Sequence, residues 1–502
     1  MLFRGWGWLP ALTALLFAAL PTTAGAAVLA GANSGAGSLA ASGPVQVVQT
    51  TSSLTQALSP VPGVTFGSTP PTPGEPVVTI DDTVAYQRIE GFGAAMTDSS
   101  AWLIDGMPSP ARAQLMGDLF GPAGLDLSFL RVPIGASDFT ATGRPYTYDD
   151  LPRRRRDPRL ARFSVAHDRA YIIPALLAAR ALNPNLELLA SPWSSPAWMK
   201  GNDALNDVAG HGTLRGAAYG PWAAYLVRFL HAYAAAGVPI SALTAANEPG
   251  VWTRYPGLNM SAASLGIWIS RFLVPALAAA RLHPKIYGSD LGWGSPDVAR
   301  AMASGPARSD LTGIAWHCYF GSPDIMAQVH AETPALDEIV TECSLGISTV
   351  PVSELLIGST RNWASAVALW NLALDPAGGP VQPPNTGCRR CSGLVTIDPK
   401  SGSLTLRLAW YQLGQASRFV RPGAVRIQSN TFASYSYTRR GVSWASAALD
   451  DVAFLNPDGS RVLLAYNNSA ATVTFAVSWH GGWFQYSLPA GATATFDWPP
   501  AG

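Results

Sequence analysis

Short apolar runs alternate with helix-like stretches from residue 75 onward. Runs with strand character lie at 76–80, 125–133, 186–191, 240–246, 285–288, 313–318, 338–341 and 366–372. The clearest helical pattern between them places apolar residues on one helix face: Trp222, Tyr225, Leu226, Phe229, Leu230 and Tyr233. Strands that alternate with helices in this way predict a parallel sheet covered by helices, and eight such units fit a (β/α)8 TIM barrel, an α/β fold.

The pattern changes after residue 424 to strands and turns without a helical period. The runs 452–455 and 462–466 flank Asn-Pro-Asp-Gly and predict a hairpin. This tail is too short for a barrel of its own, so we expect an associated β-sandwich that an N-terminal strand near 77–87 completes. The predicted division is 76–90 for the N-terminal strand or strands of the sandwich, 91–405 for the barrel and 406–502 for the C-terminal sandwich.

The first 75 residues have a different composition. Residues 1–26 read as a signal peptide, with Arg4, an apolar run and a small-residue site at Ala24-Gly25-Ala26. An uncleaved signal anchor is the alternative, because apolar residues continue to Ala32. Residues 27–75 are rich in Ala, Gly, Ser, Thr and Pro and predict a low-complexity linker. We therefore expect a secreted, extracytoplasmic protein without a stable membrane span after signal cleavage.

Composition narrows the classes of partner. The 502 residues suit more than one domain, and a formal net charge of +1 leaves no field that would attract nucleic acid. The chain has 17 Trp, which fits either sugar binding or a Trp-rich core. The sequence lacks G-x-S-x-G, H-E-x-x-H and Walker motifs, and its seven His show no metal-ligand spacing. We expect no cofactor and no metal.

Two carboxylates follow apolar runs at the rim where barrel enzymes carry their chemistry. Glu248 ends the run 240–246, and Glu342 ends the run 338–341. Cleavage of a glycosidic bond needs such a pair, one protonated to assist the leaving oxygen and one ionised. Either residue alone is more typical of a structural salt bridge. Together with Trp193 and Trp370 on the same predicted rim, the pair favours a glycosidase.

Several segments carry a specific resemblance. They are QRIEGFGAAMTDSSAWL (87–103), LSFLRVPIGASDF (127–139), LLASPWSSPAWMK (188–200), LTAANEPG (243–250), GIAWHCY (313–319), TECSLG (341–346) and LWNLALDPAGGP (369–380). With these segments the chain resembles glycoside hydrolase family 30 over roughly 77–498. The resemblance implies a barrel with a sandwich built from both ends of the domain, and hydrolysis with retention. A retaining pair has its carboxyl groups about 5–5.5 Å apart, against about 6.5–9.5 Å for an inverting pair.

The resemblance also implies residue roles. Glu248 is expected to be the acid/base and Glu342 the nucleophile. The other expected substrate-binding residues hold the innermost sugar, form its wall or surround the nucleophile: Asp98, Trp193, Asn247, Trp370, Arg131, His317 and Tyr319. A cation at Arg131 and a donor at Tyr319 favour the ionised form of Glu342.

The sequence leaves more than one substrate open. The leading expectation is a glucosylceramidase-like enzyme on β-glucosides. The alternative is an endo-β-1,6-glucanase on β-glucan, which a Cys-containing loop at 385–398 favours; β-xylosidase and β-fucosidase activities are further possibilities in the family. A non-catalytic sugar-binding protein is the outside alternative, although such proteins usually lose one carboxylate.

The four cysteines fall into two pairs. In an exported chain the C-x-x-C pair Cys388 and Cys391 predicts a small local disulfide. Cys318 and Cys343 each follow an expected site residue on neighbouring strands. We expect two buried free thiols there, with a cross-strand disulfide as the alternative.

Overall fold

A computed structural model describes residues 43–500 except 349, 383–387, 389, 431–433, 439–440 and 446–447. The expected signal peptide at 1–26 and the beginning of the expected linker, 27–42, lie outside the described residues.

Three strands precede the barrel: β1 (Gly43–Thr50), β2 (Ser59–Phe66) and β3 (Val77–Arg88). The expectation of a linker is therefore wrong for 43–66. Val45 and Val47 alternate with polar residues in β1 and are buried, which is the period of a half-buried strand. That short alternation is hidden in a low-complexity composition, and the apolar partners that bury it lie near the other end of the chain.

Eight parallel strands close into a barrel, which confirms the predicted (β/α)8 fold. In chain order they are β4 (Gly91–Ala95), β5 (Phe129–Ile134), β6 (Glu187–Pro192), β7 (Ala242–Thr244), β8 (Lys285–Gly292), β9 (Gly313–His317), β10 (Asp337–Glu342) and β11 (Ala364–Leu369). Around the ring they follow one another in this order, and β11 pairs with β4 to close it. The strands are apolar nearly throughout because both faces are covered, one by the barrel interior and one by helices.

Helices cover the outside of the barrel. They are α1 (Asp98–Asp105), α2 (Ser109–Phe120), α3 (Ile172–Leu182), α4 (Tyr219–Ala235), α5 (Ala262–Trp268), α6 (Val274–Ala279), α7 (Pro296–Ser304), α8 (Asp324–Glu332), α9 (Val352–Arg361) and α10 (Leu408–Ser417). A π-helical turn, Ile269–Leu273, joins α5 to α6. All six apolar residues that predicted α4 are buried on its inner face. Among the described helices, the continuous stretch 262–279 has the length and apolar composition to cross a membrane, and it packs against α4 and α7 of the barrel.

The remaining strands form a small sheet and the sandwich. The small sheet contains β12 (Ala373–Leu374), β13 (Val395–Ile397) and β14 (Leu404–Leu406). The C-terminal strands are β15 (Val425–Ser429), β16 (Ser434–Thr438), β17 (Gly441–Ala445), β18 (Leu449–Leu455), β19 (Arg461–Asn467), β20 (Val473–Trp479), β21 (Gly482–Leu488) and β22 (Thr493–Trp498). β18 and β19 form the predicted hairpin.

The sandwich draws its strands from both ends of the chain. Nine strands follow one another in the order β2-β1-β22-β19-β18-β15-β3-β20-β21, and a bridge between Gly67 and Trp483 brings the two outer strands together. They enclose a core separate from that of the barrel. Helix α10, which the expected division assigns to the sandwich, packs both on α9 and β4 of the barrel and on β1 and β22.

Candidate active site

The carboxyl ends of the barrel strands carry the candidate site. Arg131 lies on β5, Asp290 on β8 and Glu342 at the end of β10, whereas Glu248 follows β7. The φ angles of Glu248, Asp290 and Asn371 are 43°, 58° and 46°. Left-handed backbone at non-glycine residues costs about 1–3 kcal/mol each, and it persists where the surrounding structure requires it. These three residues lie at the carboxyl ends of the strands, where barrel enzymes carry their chemistry.

Glu342 is held by two donors. Arg131 Nη1 donates to Glu342 Oε2 over 2.5 Å, and the Tyr319 hydroxyl donates to Oε1 over 2.8 Å. Ser344 lies 2.6 Å from the same hydroxyl and donates its backbone N–H to it. Burial raises the pKa of Tyr319 well above its usual value, and the charge of Glu342 adds to the effect. Tyr319 therefore stays a proton donor to Glu342, which lines the pocket.

Asp290 is the second carboxylate that binds Arg131, and the sequence analysis did not identify it. Arg131 Nη2 donates to Asp290 Oδ2 over 2.8 Å, and Ser191, Thr244 and Thr341 donate their hydroxyls to the two carboxylate oxygens. Burial alone would raise the pKa of Asp290, but Arg131 and other donors outweigh it and hold this pKa well below its usual range. The strand-like run at 285–288 ends just before this residue, which is the signal that could have found it.

His317 bridges the two catalytic candidates. Its Nδ1 lies 3.0 Å from Glu248 Oε1 and 3.8 Å from Glu342 Oε1, and its Nε2 lies 3.2 Å from Asp290 Oδ1. Burial opposes the charged imidazole, but the charge of Glu342 and the contacts with Asp290 and Glu248 raise the pKa of His317 to about 10. The site thus sets the cations Arg131 and His317 among three carboxylates.

The spacing of the two glutamates fits their expected roles. Carboxylate oxygens of Glu248 and Glu342 and a ring nitrogen of His317 lie within 4.8 Å of one another. Oxygens this close fit a retaining pair, whose carboxyl groups lie about 5–5.5 Å apart, better than an inverting pair, which needs about 6.5–9.5 Å. The same three groups could geometrically surround a metal ion. A metal there would have to displace a proton from His317, whose pKa is raised by Glu342, Asp290 and Glu248.

Two tryptophans form one side of the pocket. The rings of Trp193 and Trp370 stack with centroids 5.1 Å apart, and Arg131 lies 4.7 Å above the Trp193 ring. Both rings are buried, with 2% and 3% exposure. The cavity measures about 290 Å³ and has the following lining: Asp138, Trp193, Asn247, Glu248, Tyr255, Tyr319, Phe320, Glu342, Ser344, Ile347, Trp370 and Cys388. It is at the small end of ligand-binding cavities.

Asp98, an expected substrate-binding residue, does not line this pocket. It begins helix α1, and its carboxylate accepts hydrogen bonds from the Ala141 N–H and the Tyr146 and Tyr171 hydroxyls and pairs with His167. Its polar atoms therefore bind protein groups in this structure, and its expected role in holding the sugar stays a prediction. The six other expected binding residues all lie at the site: Arg131, Trp193, Asn247, His317, Tyr319 and Trp370.

Asp138, which the sequence analysis did not identify, lines the pocket. It lies in the loop that follows β5, within a segment that supported the family resemblance. Burial, and then the charge of Glu342, raise the pKa of Asp138 to about 8. The Cys388 N–H donates to its carboxyl oxygen over 3.3 Å. Asp138 thus offers the pocket a neutral carboxylic acid near neutral pH.

Both cysteine pairs are disulfide-bonded. Cys388 pairs with Cys391 in the loop that lines the pocket, as the C-x-x-C spacing predicts. Cys318 pairs with Cys343, so the expectation of two free thiols is wrong and the cross-strand alternative applies. The reason is the strand register: His317 and Glu342 are partners on neighbouring parallel strands, and the cysteines are the next residue on each.

A carboxylate pair with stacked tryptophans at the open end of an eight-stranded barrel defines a carbohydrate-cleaving enzyme, a glycoside hydrolase. The glycosyl hydrolase family 30 TIM-barrel domain matches residues 89–420, and the family 30 beta sandwich domain matches 423–496. The chain therefore belongs to glycosyl hydrolase family 30.

Relatives and solved structures extend this assignment over most of the chain. The chain is 35% identical to endo-1,6-beta-D-glucanase BGN16.3 of Trichoderma harzianum, over 86% of this chain and 87% of that protein. It is 30% identical to the lysosomal acid glucosylceramidase of Mus musculus, over 80% and 79%. The solved structure of the endo-beta1,6-glucanase BT3312 superposes with a TM-score of 0.79 at 27% identity, over 91% of this chain and 100% of that one.

Proposed function

We propose that the protein is a secreted endo-β-1,6-glucanase that hydrolyses β-glucan with retention. The observation that carries the chemistry is the pair Glu248 and Glu342, whose carboxylate oxygens lie within 4.8 Å beside two stacked tryptophans. The choice of substrate rests on the near full-length similarity to endo-1,6-beta-D-glucanases, at 35% and 33% identity for two fungal relatives. The comparisons thus favour the alternative of the sequence analysis over its leading expectation.

In the proposed reaction Glu342 attacks the anomeric carbon and forms a glycosyl ester. The glycosidic C–O bond breaks as Glu248 gives its proton to the leaving oxygen. Glu248 then removes a proton from water, the resulting hydroxide attacks the same carbon, and the ester breaks to restore the Glu342 carboxylate. Arg131 and Tyr319 hold Glu342 in place for both steps.

Asn247 contributes through its orientation. Its Oδ1 accepts a hydrogen bond from Arg131 Nη2 over 2.7 Å. The amide NH2 is therefore left to donate towards the pocket that Asn247 lines. In this proposal it donates to the 2-hydroxyl of the bound glucose, while Trp193 and Trp370 cover the sugar's apolar face.

A glucosylceramidase is the second candidate, because the mouse lysosomal enzyme is 30% identical over most of both chains. The two candidates share the catalytic pair and differ in the leaving group, a glucan or a ceramide. For both candidate functions we propose that the protein is exported from the cell. Its supports are the expected signal peptide and two disulfides, which persist in oxidising compartments.

Product analysis tests the proposal. The purified protein is given linear β-1,6-glucan and, separately, glucosylceramide in detergent. We expect short β-1,6-linked oligomers from the glucan, with new reducing ends of β configuration at early times, and no ceramide. Glu342→Gln should abolish this activity, whereas Glu332→Gln on the outer helix α8 should leave it unchanged.

Release of ceramide with the glucan untouched would contradict the glucanase assignment and favour the second candidate. Full activity in the Glu342 variant would contradict the assignment of the nucleophile. Initial α products would contradict retention.

A further inference from the structure

One aromatic ring at the mouth of the pocket is left in water. Phe320 is 76% exposed, and Ile347, which lines the same pocket, is 44% exposed. Single exposed apolar residues are common on protein surfaces and need no explanation by themselves. Here, however, two of them border the cavity that contains the catalytic pair, and the other aromatic rings of that cavity are at least partly covered.

The backbone of Phe320 is held in an unfavourable conformation. Its φ is 54°, in the left-handed region that bulky residues avoid. The loop after β8 holds it there by close approach. A Cβ at Gly294 would lie 2.2 Å from the Phe320 carbonyl oxygen, and a Cβ at Gly321 would lie 2.7 Å from Trp293 Cβ. Only glycine fits at these two positions. The fold therefore keeps an apolar ring in water and does so through a strained residue, a combination that points to function.

The position of Phe320 around the barrel indicates which part of the substrate its phenyl ring would contact. Phe320 follows β9, which lies across the ring of strands from β5, and Asp138 follows β5. The two tryptophans follow β6 and β11, on the same half of the ring as β5 and β4. That half is closed by buried residues. The side with Phe320 and Ile347 is open to solvent, and Glu248, which follows β7, belongs to the same half.

We infer that Phe320, together with Ile347 of the same pocket lining, is the platform for the glucose unit on the leaving-group side of the scissile bond. The inference rests on the proposed function and adds a residue that sets its substrate. The leaving oxygen must lie beside the acid/base, so the unit that carries it extends to the open half of the pocket. A pyranose presents an apolar C–H face, which stacks on an aromatic ring and covers it.

The experiment compares two substrates that differ only beyond the scissile bond. A β-1,6-linked gluco-oligosaccharide places a sugar on the platform. β-Glucosyl fluoride has a single atom as its leaving group and cannot reach the platform. We expect Phe320→Ala to lower kcat/KM on the oligosaccharide about tenfold, mainly through KM, because an aromatic contact of this kind is lost. Hydrolysis of the fluoride should stay within about twofold of the wild-type rate.

Two further variants separate the platform from a structural role. Phe320→Tyr keeps the ring and should retain the wild-type kcat/KM on the oligosaccharide. Phe272→Ala removes a 36% exposed Phe from the outer face of the barrel, where it contacts Tyr219, and should change neither rate. Thermal unfolding of Phe320→Ala should match the wild type, since the exposed ring packs on little.

Equal losses on both substrates would overturn the inference, because Phe320 would then act on the catalytic pair itself. Unchanged rates on both would overturn it as well. If the wild type cleaves the fluoride and ceramide glucoside but not β-1,6-linked substrates, the proposed function and the inference both fail. If the wild type cleaves the glucan and Phe320→Ala does too at the full rate, only the inference fails.

Discussion

Asp138 shows how one buried residue makes the site respond to pH. Its pKa is raised to about 8 by burial, by Glu342 and, more weakly, by Glu248. The folded protein therefore keeps a proton that the unfolded chain releases near pH 4. Between those two values the native state binds more protons than the unfolded state, so the contribution of Asp138 to stability falls as the pH rises.

Asp138→Asn should remove this dependence, because an amide imitates the neutral acid and does not titrate. We expect the free energy of unfolding of the wild type, relative to the variant, to fall as the pH rises from 5 to 8, by up to about 1.4 kcal/mol for each pH unit. Urea unfolding of both proteins at pH 5, 6, 7 and 8 measures this difference in the free energy of unfolding. Parallel stability curves would show that Asp138 does not hold a proton in the folded protein.

The residues that sequence could identify are those that end an apolar run. Glu342 ends β10, Trp370 directly follows β11, and Glu248 comes just after an apolar run that continues to Ala246, so strand prediction placed them at the rim. Asp138 lies several residues beyond its strand, in a loop whose path has no periodic signal. Asp98 looks like a strand-end residue, yet its partners His167 and Tyr171 come from a distant loop. Which of two aspartates reaches the pocket depends on those long-range contacts.

Strands could be predicted where they pack in a repeating arrangement, as in the barrel. The barrel strands have apolar faces on both sides, so each run stands out. The Cys318–Cys343 disulfide was predictable in principle once β9 and β10 were neighbours, because their register aligns the residue before each cysteine. Strand β1 was not, because its pairing with β22 joins opposite ends of the chain.

Arg361, at the end of helix α9, binds two strands of the sandwich. Arg361 Nη1 donates to the Ser429 hydroxyl and the Asp451 backbone oxygen, over 2.9 and 2.7 Å, and Nη2 donates to the Ser429 carbonyl. Asp451 is buried, and burial raises its pKa to about 6 although Arg361 opposes the shift. Asp451 thus depends on Arg361 to remain charged.

Arg361→Met should destabilise the protein by about 3–5 kcal/mol, because it leaves a buried carboxylate and two strand oxygens without their donor. Arg300→Met is the matched control. Arg300 pairs with Glu332 on the surface between α7 and α8, and its loss should cost less than about 1 kcal/mol. Urea unfolding at pH 7 compares the two. Equal effects would mean that the α9 contact contributes no more than a surface ion pair.

At the scale of the molecule, the barrel is inserted into the sandwich. β1 lies between β2 and β22, and β3 lies between β15 and β20, so strands from before the barrel alternate with strands from after it. Phe66 at the end of β2 contacts Trp479, Phe484 and Trp498, with ring centroids 5.5, 5.0 and 5.7 Å apart. The sandwich core is therefore incomplete without residues that the composition assigns to a linker.

A truncation decides between the two descriptions of this segment. A chain that starts at Pro70 lacks β1 and β2, whereas one that starts at Ala40 keeps them. Without them β22 becomes an exposed edge and the rings of Trp479 and Trp498 lose their cover, so we expect a lower Tm and aggregation of the shorter chain. Calorimetry and size-exclusion chromatography of the two chains measure this. An equal Tm with both chains monodisperse would mean that residues 43–66 act as a linker after all, and that the sandwich is complete from β3 onward.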